Sequence, residues 1–144
     1  MRSEADEVVV NFFALCDNVI TEAGTGKQSL IGLYSALMTE QMPAHVNMAV
    51  AVGLRVQSSR TREILFRLTD PQGMTIFQSP PLPFDWHSLE NSLRNNGYAT
   101  VQIGLNLRSV PLNHYGVYSS ALICEGDLLA TYPVSVMPVH AHTS

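Results

Sequence analysis

From Val46 to Val56 the chain alternates without a break. Val46, Met48, Val50, Val52, Leu54 and Val56 are apolar and sizeable, and Asn47, Ala49, Ala51, Gly53 and Arg55 stand between them. A helix would space its apolar residues by three and four. A period of two with β-branched residues describes a strand whose larger side chains enter a core. After the polar break Gln57-Ser58-Ser59-Arg60-Thr61 the rhythm resumes at Ile64, Phe66 and Leu68 and stops at Asp70-Pro71-Gln72-Gly73. The stretch is expected to hold a pair of strands closed by turns. Its odd face, Ala49, Ala51 and Gly53, is small and uncharged, a poor design for open water. Those three residues are expected to lie under a second subunit or under the segment Pro80–Leu93 folded back.

Similar signals recur along the chain. Val8–Leu15 is apolar at nearly every position, and Ala23–Gln28 supplies glycines for a turn. Ser29–Leu37 then reads as the returning arm of a hairpin. Met42–His45 is a loop into the strand at 46. Met74–Gln78 is expected to pair back across Asp70-Pro71-Gln72-Gly73, before three prolines at 80, 81 and 83 that cannot donate ladder hydrogen bonds. Trp86, Leu89 and Leu93 fall at helical spacing, with Asp85 as N-cap and Asn95-Asn96-Gly97 as the stop, so one short helix is expected over 85–94. Val101, Ile103, Leu105 and Leu107 alternate with Gln102, Gly104, Asn106 and Arg108, and Pro111–Gly116 reads as a loop. The arms Val117–Cys124 and Leu128–Val136 are expected to close through Glu125-Gly126-Asp127 in a primed turn. Pro133 marks the last strand as an edge or a bulge.

This gives eight or nine strands, with turn signals about every ten residues and no βαβ rhythm. The fold class is all-β: a two-layer antiparallel β-sandwich of immunoglobulin-like type, with a barrel as the alternative. One domain spans 1–144, and 1–6 and 138–144 are expected to fray.

Charged residues make up only 14% of the chain, against about 25% in an average domain, while 46% is hydrophobic. So few charges leave small or apolar surface for association, and a homo-oligomer or a protein partner is expected. The net charge is −4 and the eight Lys and Arg are scattered singly, which argues against nucleic acid. An acidic start followed by a short apolar run matches neither a signal peptide nor a membrane span, so the expected location is cytoplasmic. Cys16 and Cys124 then read as buried free thiols.

Gly24–Ser29 fails as a phosphate loop, because Thr21 and Gln28 stand where the pattern needs Gly and Ser or Thr, and a β-rich run follows it. His45, His87 and His114 stand apart. His140 and His142 could share a metal only adventitiously, for want of further ligands. No nucleophile elbow or H-E-x-x-H pair is present, so no catalytic residue, cofactor or functional metal is expected. The remaining candidates are aromatic. Trp86, Phe84, Tyr98 and Tyr115, with Tyr118 and Tyr132 near, could form a platform for carbohydrate or another small ligand. Alternatively, Phe84 and Trp86 plug an end of the sandwich.

Five segments, taken in order, carry a resemblance: Ala14-Leu15-Cys16-Asp17; Gly26-Lys27-Gln28-Ser29-Leu30-Ile31-Gly32-Leu33-Tyr34; Phe66-Arg67-Leu68-Thr69-Asp70-Pro71-Gln72-Gly73; Tyr115-Gly116-Val117-Tyr118; and Gly126-Asp127-Leu128-Leu129. The chain thereby resembles a family of uncharacterised bacterial proteins, a domain of unknown function with β-sandwich character. One departure is His114-Tyr115-Gly116, where the family more often has Pro-Gly. The resemblance implies the sandwich and a bacterial cytosol, and implies no catalytic residue.

Overall fold

The computed structural model describes residues 8–25, 27–34 and 36–139. Among the described residues nine strands follow in chain order: β1 Val8–Thr21, β2 Gln28–Leu33, β3 Ala36–Thr39, β4 Ala44–Val56, β5 Ile64–Thr69, β6 Thr75–Gln78, β7 Ala99–Leu112, β8 Gly116–Cys124 and β9 Asp127–Pro138. Between β6 and β7 lie a 3₁₀ turn, Trp86–Leu89, and a short helix α1, Glu90–Asn96. The strands form a four-stranded sheet in the order β2-β1-β4-β7 and a five-stranded sheet in the order β3-β9-β8-β5-β6. The two face each other across one core, as the two-layer sandwich requires.

Inner-face residues of β4, Met48, Val50, Val52, Leu54 and Val56, are buried and share the core with Leu15, Phe66, Leu68, Val101, Ile103, Tyr118, Leu122, Val134 and Val136. Phe13 of β1 meets Phe66 of β5 edge-on at 6.2 Å between ring centroids, joining the two layers. Each fully buried Val, Leu or Phe contributes about 1.5–3 kcal/mol relative to exposure. The alternation seen in sequence is therefore the core face of a central strand.

Four expectations about strand arrangement change. The strands at 46–56 and 64–70 do not pair, because β4 lies in one sheet and β5 in the other. The polar residues 57–63 carry the chain across. The returning arm 29–37 is two strands: β2 stays with β1, and β3 crosses to pair parallel with β9, matching Ala36 to Ser135 and Thr39 to Pro138. The other pairings among the described residues are antiparallel. β7 runs on through Pro111 and Leu112, which pair with His45 and Ala44, so the expected loop begins later. The chain is also held at Pro138–Val139, where the Val139 amide donates to the Thr39 carbonyl. Pro133 does lie at an edge, since β3 joins β9 only from Ser135 onward.

Local chemistry explains the turns. Asp70 Oδ1 accepts from the amides of Gln72 and Met74, both at 2.9 Å, and closes the β5–β6 hairpin. Glu125 and Gly126 both have positive φ, 50° and 85°, the primed geometry that matches strand twist between β8 and β9. Asp85 caps the 3₁₀ turn by accepting from the His87 amide, and Gly97, at φ 78°, ends α1.

Candidate functional site

The aromatic candidates do not assemble into a platform. Trp86 is only 5% exposed, and Phe84 packs edge-on against it at 5.2 Å. The Arg62 guanidinium lies 5.1 Å from the Trp86 ring centroid. Arg62 is itself buried and donates to the carbonyls of Ser58 and Arg60 and to Ser58 Oγ. Trp86 thus belongs to the core cluster, with Phe84 packed against it. Tyr98 and Tyr115 are exposed but flank opposite ends of β7, so one ligand cannot span them. Tyr118 donates its hydroxyl to the His114 carbonyl, and Tyr132 donates to the Tyr34 carbonyl.

Ala49, Ala51 and Gly53 are covered, though by neither occupant expected from sequence. Ala49 is 1% and Ala51 0% exposed within the single chain. The Phe12 ring fills the space over Gly53. A Cβ on Gly104 of β7 would meet Val19 Cγ1 at 3.3 Å and Gln28 Nε2 at 3.7 Å. Val19 and Gln28 belong to β1 and β2, and β4 stands between those strands and β7 in the sheet. The far end of the β1–β2 hairpin must therefore fold across the sheet's outer face. It covers the small residues that the alternation left there, so Ala49, Ala51 and Gly53 are internal packing sites and not a partner surface. The segment after β6 instead runs along the margin of β5, with the amides of Ser79 and Leu82 donating to Phe66 and Ile64 carbonyls.

Folding the hairpin down fixes which side chains it shows outward. Val19 pairs with Leu30 and Thr21 with Gln28, so these share the inward face. Asn18 pairs with Ile31 and Ile20 with Ser29, which puts Ile20 and Ile31 on the opposite face. Ile20 and Ile31 are each 48% exposed, and Leu33 is 60% exposed. Sequence reasoning missed this trio. Its available signal was the run Gln28–Thr39, which has no charged residue between Lys27 and Glu40.

Beside the hairpin, Asp17, Asn18, Asn47, Met48, Asn106, Leu107 and Arg108 line an open groove of about 320 Å³. It sits at a bulge where the β4–β7 register shifts between Val46 and Met48. Ser109 takes a left-handed φ of 52°, and its amide donates to Asn47 Oδ1 at 2.8 Å. Behind the groove, Tyr34 donates its hydroxyl to the Asn47 carbonyl at 3.3 Å. Burial, then a hydrogen bond to Asp17, pushes its phenol well above the ordinary range. Burial likewise raises the Cys16 thiol, whose Sγ lies 3.4 Å from the Asn18 carbonyl oxygen. Cys16 and Cys124 are both buried. The groove offers amides, one carboxylate and one guanidinium, groups that hold polar ligands by hydrogen bonds.

Among the described residues no three of His, Cys, Asp and Glu come together to hold a metal. His140 and His142 lie outside the described residues. Within those residues no helix is long and apolar enough to cross a membrane.

A family model for a family of unknown function, DUF6941, matches residues 11–137. The chain belongs to this family. Comparison with curated proteins gives no match. Among solved structures, the chain is similar to an immunoglobulin-like protein from Pseudomonas aeruginosa at 11% identity, covering 92% of this chain and 98% of that one, with a TM-score of 0.49. The family match takes in all of β2 to β8 and most of β1 and β9, and so includes the folded-over hairpin and the groove beside it.

Proposed function

We propose that this DUF6941 member is a non-enzymatic β-sandwich of the bacterial cytoplasm that acts through protein contacts, as a homo-oligomer or as an accessory of another protein. The observation that supports this most directly is β2. It is the outer strand of its sheet, carries no charged residue, and has Ile31 and Leu33 exposed beside Ile20. Apolar edge strands are templates for pairing with another chain, and proteins that stay alone usually blunt them with Lys, Pro or a bulge. Light scattering of the purified chain at tens of micromolar, with capture from native lysate by wild type and by Ile31→Lys, tests the reading. The expected result is a mass above 15.8 kDa, or a specific partner lost in the variant. A monomer that captures nothing specific would overturn it.

Binding of a small ligand is a second reading, now supported by the groove at Asn47, Asn106 and Arg108 in place of Trp86. Thermal shifts with a panel of neutral sugars and sugar acids, abolished by Arg108→Ala, are its expected signature. No shift across the panel would remove it.

A further inference from the structure

We propose that the free edge of β2 is a homodimer interface, in which Gln28–Ile31 pairs antiparallel with the same strand of a second copy about a two-fold axis. The inference rests on the protein-contact reading and goes further by naming the surface and the occupant.

β3, Ala36–Thr39, is as neutral as β2, whereas the other two edges of the sandwich are blunted. β7, the other margin of the same sheet, shows Gln102, Asn106 and Arg108 outward, and its pairing with β4 is bulged at Ser109. β6 is four residues long and runs into Pro80 and Pro81. These are the devices that discourage edge pairing. β2 carries neither charge nor proline, and among the described residues no strand pairs with it on the side away from β1. Gly32, at φ 70°, bends the chain after Ile31. That leaves four residues, roughly 13 Å of strand, for pairing.

Charge selects the occupant. A two-fold axis sets a strand against itself, so any charge on it would meet its like, a destabilising arrangement in paired strands. Gln28–Ile31 is neutral, so two copies of it meet without like-charge repulsion although each chain carries −4. A partner recognised by opposite charge would find nothing complementary on this strand. Ile20, Ile31 and Leu33 of each copy would merge across the axis into one apolar cluster, in the way that an isologous contact uses one patch twice.

Sedimentation equilibrium of the whole chain from low to high micromolar is expected to give a mass twice 15.8 kDa at the upper end. Ile31→Lys and Leu33→Lys should each raise the dissociation constant at least about tenfold, while circular dichroism confirms retained fold. Met74→Lys, an exposed apolar position at the distant β5–β6 turn, should leave it unchanged. Amide exchange should slow, as dimer forms, at the alternate amides of Gln28–Ile31 that face away from β1. A monomer throughout, or a dimer indifferent to both β2 variants, would overturn the inference. If the monomer captures a different protein and Ile31→Lys abolishes that capture, the self-pairing falls and the protein-contact reading survives. A monomer without edge-dependent capture removes both.

Discussion

The ring of Phe12 occupies the space that a side chain at position 53 would need: a Cβ on Gly53 would sit 2.1 Å from Phe12 Cε1. Glycine is thus required in the middle of β4 by a neighbour on β1, not by its backbone angles. Gly53→Ala should destabilise the fold by about 1–3 kcal/mol through overpacking. Adding Phe12→Leu should recover part of that loss. Urea unfolding of the single and double variants measures both, and equal stability of Gly53→Ala and wild type would contradict the packing.

Arg62 is expected to be a stability residue. Its guanidinium is buried against Trp86 and satisfies two backbone carbonyls. Arg62→Ala should cost about 2–4 kcal/mol, from the lost cation–π contact and the carbonyls left without donors. Trp86 emission should shift to the red as water reaches the ring. Glycans should not quench Trp86 in the wild type, and saturable quenching by any of them would assign the ring a ligand role.

Tyr34 makes stability sensitive to alkali. Its phenol is raised above the ordinary value of 10.0, first by burial and then by the bond to Asp17. The unfolded chain therefore releases this proton near pH 10 while the folded chain still holds it. The stabilisation is whole below that pH and falls as pH rises through it, by at most about 1.4 kcal/mol per pH unit for the group. Cys16, raised from 9.0 mainly by burial, acts in the same direction. Urea midpoints measured from about pH 8 to about pH 11 should decline, and Tyr34→Phe should flatten the decline. A flat wild-type profile would refute the assignment.

Asp70→Ala removes both side-chain hydrogen bonds that close the β5–β6 turn. The expected loss is about 1 kcal/mol, with faster amide exchange confined to residues around Gln72 and Met74. Asp70→Asn, which keeps an acceptor oxygen, should lose less. Equal losses in the two variants would show that the turn does not depend on the accepted bonds.

Much of the fold was legible locally. The alternation of Val46–Val56, the acceptor at Asp70, the Glu125-Gly126 turn and the Asp85 cap each act within a few residues, so chain order alone reveals them. The candidate surface was less legible. Local sequence leaves Trp86 open to either a ligand platform or an end plug, because the Arg62 that lies against its ring is brought in from the crossing between β4 and β5. The groove draws on β1, β4 and β7, strands whose adjacency no local pattern reveals.

By itself the sequence determined an all-β chain with a central strand whose large side chains enter a core and whose small ones require a cover. The period-two pattern is a property of the strand backbone and survives any arrangement of neighbours. What covers Ala49, Ala51 and Gly53 was decided only by tertiary structure. Phe12 covers Gly53 from the neighbouring strand β1, and Val19 and Gln28 reach the outer face where the β1–β2 hairpin folds across it, a long-range packing choice that leaves Ile20, Ile31 and Leu33 turned to solvent.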